Sequence, residues 1–116
     1  MVNDKDKHIL ENILYQCKIM EKEMTDYRLS PKLLSDDGVL FNACCHTIFQ
    51  IGELANSLSS EFKQLHTSED WAEMYSMRNI IGHHYGSVNI KLLWETACKD
   101  IPKLRQTCEK ILAEEK

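Results

Sequence analysis

Apolar residues recur at three- and four-residue steps along almost the whole chain, and no stretch shows the sustained apolar alternation of a half-buried strand. Ile9, Leu10, Ile13, Leu14, Cys17, Met20, Met24 and Tyr27 mark one face of a helix predicted from about Asp4 to Tyr27, with Asn3 or Asp4 placed to cap it. Arg28 to Ser35 reads as a link through Ser30-Pro31. A second helix is predicted from near Ser35, with Asp36 and Asp37 in its first turn, where the helix dipole favours anions. Its stripe of Leu40, Ala43, Cys44, Thr47, Ile51, Leu54, Ala55 and Leu58 runs to about Ser59. Gly52 falls inside that helix at a propensity cost of about 1 kcal/mol relative to Ala, which points to a close helix contact. A third helix is predicted from a Ser68 cap through Trp71, Met74, Tyr75 and Arg78 to near Gly82, and a fourth from roughly Asn89 to Asp100. Pro102 then starts or kinks a last segment through Leu104, Cys108, Ile111 and Leu112. Short links between such helices predict an all-α, four- to five-helix antiparallel bundle, a single domain over residues 1–116.

Composition narrows the function class. Hydrophobic content of 43% and charged content of 28% over 116 residues are those of a soluble globular domain with a core of its own. The opening Met-Val-Asn-Asp-Lys-Asp-Lys is too polar for a secretory signal, and no run approaches the ~18 apolar residues of a membrane span. The expectation is a cytoplasmic protein without a membrane partner. A formal net charge of −4 argues against a general nucleic-acid coat, DNA included, but leaves room for one local cationic cleft that touches RNA. The five cysteines (17, 44, 45, 98 and 108) contain no Cys-x-x-Cys pair, and adjacent Cys44 and Cys45 diverge on a helix. They read as reduced, mostly buried thiols, with no metal and no cofactor expected. His46, beside that cysteine pair, reads as a half-buried helix-face histidine, while His8 and His66 read as surface or helix-end residues. Trp71 and Trp94 read as packing residues of the core or of an interface.

The densest chemistry lies between Arg78 and Tyr85, where Arg-Asn-Ile-Ile-Gly-His-His-Tyr sets a permanent cation, two imidazoles and a phenol within one short stretch. Cleavage of RNA by its own ribose 2′-hydroxyl needs a base, an acid and a cation on the phosphorane. Histidine, with an unperturbed pKa of about 6.5, suits the proton transfers, and arginine offers a planar donor fork to phosphate oxygens. On an uninterrupted helix, however, Arg78 and His83 would diverge by about 140°. A helix ending at Gly82 in the left-handed conformation would let His83 fold back toward Arg78. A structural reading exists for each residue as well: Arg78 paired with a carboxylate, and Tyr85 in the core. Glu53, at the margin of the second helix's stripe, is open between a partner for Arg78 and an exposed carboxylate.

Residues 78–85 also resemble the Arg-x4-His-x-Tyr signature of the HEPN superfamily, specifically its HepT-like toxin branch. Ile51-Gly52-Glu53-Leu54-Ala55 is similar to that branch's Ile-Gly-Glu-Ala segment. Trp71 before Met77-Arg78-Asn79, then Leu93-Trp94-Glu95 and Asp100-Ile101-Pro102-Lys103-Leu104, extend the resemblance in the expected order from about Phe41 to Leu112. The resemblance implies a HEPN-like homodimer with two motifs facing each other across a cleft. It implies a metal-independent endoribonuclease toxin acting on single-stranded or tRNA-like RNA, with Arg78 and His83 as the catalytic pair. Asn79, His84, Tyr85 and Glu53 would bind substrate or support that pair. Because His84 adjoins His83, either imidazole can be the proton-transfer group, and motif alignment favours His83. The resemblance further implies a minimal nucleotidyltransferase antitoxin that attaches AMP to Tyr85. The alternative is a non-catalytic helical subunit that docks a nucleotidyltransferase or presents nucleotide to it.

Overall fold

The computed structural model describes residues 2–83 and 88–115, and for His83 only the backbone. The described chain is helical throughout, with no strand among those residues. Its elements are α1 (Asp4–Asp26), α2 (Pro31–Asp36), α3 (Gly38–Ser57), α4 (Ser60–Leu65), α5 (Trp71–His83), α6 (Ile90–Glu95), a wide π-helical turn (Thr96–Asp100) and α7 (Ile101–Glu114).

Helix α1 is the central post. Asn3 caps it, its side chain accepting from the Asp6 N–H at 2.7 Å, and Ile9, Leu10, Ile13, Cys17 and Met20 are buried along one stripe. The predicted stripe overruns at Tyr27, which is 58% exposed at the C-cap. The chain leaves α1 through Arg28 in the left-handed region (φ 50°), with Leu29 N–H donating to the Met24 carbonyl and Arg28 N–H to that of Thr25. This is a Schellman closure without glycine, and buried Leu29 anchors it.

The predicted link at residues 28–35 contains the short helix α2, capped by Ser30 with Pro31 in its first turn. The second long helix begins later than expected. Asp37 caps α3 by accepting from the Val39 and Leu40 N–H groups, whereas Asp36 ends α2 and pairs with Lys32. Cys45, Ile48 and Gly52 are buried together with the expected Cys44, Thr47, Ile51 and Ala55, because α3 packs against α1 on one side and α5 on the other. Buried Asp6 accepts from both the N–H and the hydroxyl of Ser59, and Ser59 in turn caps α4, a helix that the periodicity does not predict. Asp70 rather than Ser68 caps α5, its carboxylate accepting from Glu73 N–H at 3.0 Å.

Side-chain pairs set the directions. Asp6–Ser59 and Glu23–Thr47 run α1 against α3, Val2–Glu115 and Glu21–Arg105 run α1 against α7, and Gly52–Met74 with Phe49–Gly82 run α3 against α5. Neighbouring long helices are therefore antiparallel, as predicted. Residues 89–100 form α6, capped by Asn89, followed by the π turn. Proline at 102 cannot donate to the carbonyl four residues back, and its ring crowds that carbonyl, so the widened turn carries the chain into α7 without a break. Ile101, Leu104, Cys108 and Ile111 then close the core over α1.

Candidate active site

Helices α3 and α5 approach closely at Gly52. A Cβ there would lie 2.7 Å from the Met74 carbonyl oxygen and would overlap the Arg78 Cβ. That closeness lays the Arg78 side chain across α3. Its Nε–H donates to Glu53 Oε1 in a short contact, its Nη1 donates to Asn79 Oδ1 at 3.3 Å, and its guanidinium carbon sits 4.7 Å above the Phe49 ring centre. Tyr75 flanks the same group at 5.8 Å. The Arg78 and Glu53 side chains are 24% and 44% exposed, so solvent holds the pair's worth to about 0–1 kcal/mol. What the pair supplies is direction. Two of the five guanidinium N–H donors are used this way among the described residues, and the fork is clamped on one edge and one face. Glu53, left open by the sequence, is thus the partner of Arg78.

A groove of about 400 Å³ opens beside this clamp, lined by Asn42, Cys45, His46, Phe49, Ile81 and Gly82. Burial pushes the Cys45 thiol up to about 11, so it contributes a neutral wall. His46 is exposed on α3 rather than half-buried, because its face of the helix looks into the groove. Asn42 and Phe49 were absent from the sequence reading. The signal was available in the steps 42, 46, 49 and 53, which trace a second face of α3 outside the apolar stripe.

Gly82 does not end its helix. α5 continues to His83, and no glycine has a positive φ among the described residues. A Cβ on Gly82 would stand 3.2 Å from the Phe49 ring and 3.4 Å from Arg78 Nη1, so this glycine makes room for the guanidinium instead of turning the backbone. The expected left-handed helix end at Gly82 is therefore corrected, while the expected fold-back of His83 toward Arg78 concerns a side chain outside the described residues. His84 and Tyr85 lie outside the described residues, as does the side chain of His83. Trp71 is buried, its indole N–H donating to the His66 carbonyl, and Trp94 packs partly buried against the core. All five cysteines are free thiols, and only Cys98 is exposed. No group of three or more possible metal ligands occurs among the described residues, and no helix among them is long and apolar enough to cross a membrane.

Residues 10–111, most of the chain, match the family described as Ribonuclease HepT-like. The chain belongs to that family. Its α3–α5 seam, with Glu53, Arg78 and the groove, lies wholly inside the HepT-like span. A protein of Caldanaerobacter subterraneus subsp. tengcongensis, provisionally named an RNase, is 34% identical over 107 residues, which cover 92% of this chain and 94% of that protein. A Thermococcus cleftensis protein, provisionally named ribonuclease HepT, is 33% identical over 105 residues, 90% of this chain and 94% of the relative. A Methanocaldococcus jannaschii protein, named a gamma-glutamylcyclotransferase and provisionally an RNase, is 34% identical over 107 residues that make up 46% of its length. No solved structure gives a significant match.

Proposed function

We propose that this HepT-like chain is a metal-independent endoribonuclease, a toxin held in check by a nucleotidyltransferase partner. The observation that carries the reading is the clamped Arg78 guanidinium at the edge of an open groove. In the reaction, an imidazole of the motif takes the 2′-hydroxyl proton, and the oxygen attacks phosphorus. The bond to the 5′ oxygen then breaks as an acid protonates it, leaving a 2′,3′-cyclic phosphate and a free 5′-hydroxyl. Arg78 holds the charge that builds on the phosphorane oxygens. Its fixed fork meets that charge without reorganising, because Glu53 and Phe49 already hold it in place.

On an uninterrupted helix five steps set Arg78 and His83 about 140° apart, which favours a composite site. A homodimer with its motifs facing would set Arg78 of one protomer opposite His83, or His84, of the other. Neutralisation by the partner would transfer AMP from ATP to the Tyr85 oxygen with release of pyrophosphate, placing a bulky anion beside Arg78.

The test is RNA cleavage in EDTA by wild type, Arg78→Ala, His83→Ala and a one-to-one coexpressed mixture of the two variants. Each variant alone should be inactive. In a random mixture half the dimers are mixed, and each mixed dimer restores one of two composite sites, so roughly a quarter of wild-type activity should return. Absence of cleavage by wild type under every condition would leave a non-catalytic subunit in place of the enzyme. Full activity in Arg78→Ala would remove the arginine from the mechanism.

A further inference from the structure

The groove beside Arg78 has a chemistry of its own. Its floor is aromatic and apolar, from Phe49, Ile81 and the neutral Cys45 thiol. Its rim carries the Asn42 amide and the His46 imidazole, four residues apart on the exposed face of α3. Neither rim side chain makes a hydrogen bond among the described residues. Gly82 leaves the far wall without a side chain, and Phe49 belongs to both the groove and the arginine clamp. An amide and an imidazole above an aromatic floor, one ring away from a phosphate-gripping fork, match the face, edge and phosphate of a single unstacked nucleotide.

We propose that this groove is a nucleobase subsite, in which Asn42 and His46 read the edge of one unpaired RNA base while Phe49 packs against its face. The proposal rests on the ribonuclease reading for its ligand, and it assigns base preference to α3 residues outside the 78–85 motif. A second copy of the chain is the competing occupant. The mixture of an open floor with two polar groups that make no hydrogen bond among the described residues favours a small, edge-bearing ligand over a packed helix.

The test uses the full chain and four 2′-O-methyl RNA hexamers, one for each base, which bind but cannot form the 2′ nucleophile. Wild type should prefer one base by about tenfold, in the range of a good side-chain–base contact. Asn42→Ala and His46→Ala should each weaken binding of that hexamer by about tenfold and flatten the preference, while Gln64→Ala on α4 should match wild type. Unchanged affinity and preference in both groove variants would overturn the proposal, as would a fall in sedimentation mass showing that the groove is covered by a second copy. Cleavage of unmodified RNA is followed in parallel. Cleavage by wild type with unchanged preference in the variants sinks the subsite alone. Base-selective binding without any cleavage sinks the enzyme reading and keeps the subsite. Failure to bind any hexamer sinks the subsite.

Discussion

Replacing Gly52 with alanine tests how the arginine clamp is built. In an unencumbered helix the change would gain about 1 kcal/mol of propensity. Here the new Cβ would stand 2.7 Å from the Met74 carbonyl oxygen and would overlap Arg78 Cβ. Neither atom can swing aside, since one is α5 backbone and the other is bonded directly to it. The helices must separate along the most extensive packing seam of the fold. Overpacking costs about 1–3 kcal/mol and occasionally more, and a backbone obstruction puts this site at the upper end. After the propensity gain, a net loss of about 2 kcal/mol remains, worth roughly 8 °C in Tm for a chain of this size. Gly38→Ala is the control: nothing lies within 4 Å of a Cβ at that position, so it should be neutral or stabilising by up to about 1 kcal/mol. Thermal melts followed by circular dichroism at 222 nm compare the two directly. If Gly52→Ala melts at or above wild type, the seam is not as tight as described, and the account of how Arg78 is positioned fails with it.

Glu53→Gln should leave stability within about 1 kcal/mol, since the pair is partly solvated, yet lower kcat/KM for RNA by losing the charged acceptor that aims Arg78; equal kcat/KM would remove Glu53 from the site. Thiol titration at pH 8 should show Cys98 reacting first, with Cys17, Cys44, Cys45 and Cys108 reacting only on unfolding, because burial pushes Cys17 and Cys44 up to about 12 and Cys108 higher still. Burial also raises the Glu69 carboxyl, so its favourable contribution is complete below the ordinary glutamate pKa of about 4.3 and is lost as pH rises through the folded value. Glu69→Gln should therefore raise Tm at pH 7, with an advantage that shrinks toward pH 4; a constant difference across that range would contradict the linkage.

The long helices were legible because each has an apolar stripe at helical period and a side chain able to cap it, as Asn3 does for α1 and Asp37 for α3. The short helices α2 and α4 were not, since six residues carry too little periodicity and depend on capping partners. Ser59 is held by Asp6, 53 positions away in the chain, and no local pattern contains that bond. The buried arc of α3 was underestimated for a related reason. A helix with neighbours on two sides buries two stripes, and Cys45 and Ile48 belong to the second. At the site, Gly52 was correctly read as a close approach, and Glu53 was named with its role open. Phe49, Asn42 and the placement of His46 required the α3–α5 packing before their shared face meant anything.

The two glycines of the seam act on the two ends of one side chain. Gly52 admits the Arg78 stem, which overlies the position its own Cβ would take, and Gly82, one helical turn after Arg78, leaves space beside the guanidinium. Between them the arginine lies flat, with Phe49 under its plane and Glu53 at its edge. A lysine could follow the same path, but its compact ammonium has no plane to stack and no fork for a carboxylate and a phosphate to share. The residue types therefore support one another. A planar cation needs a flat channel, a flat channel between packed helices needs missing side chains, and the acid and aromatic ring set the direction in which the remaining donors point. The same arrangement explains why the helix runs on past Gly82 to His83. If the chain turned at Gly82, the space beside the guanidinium would be spent on backbone geometry, and the clamp would lose one wall.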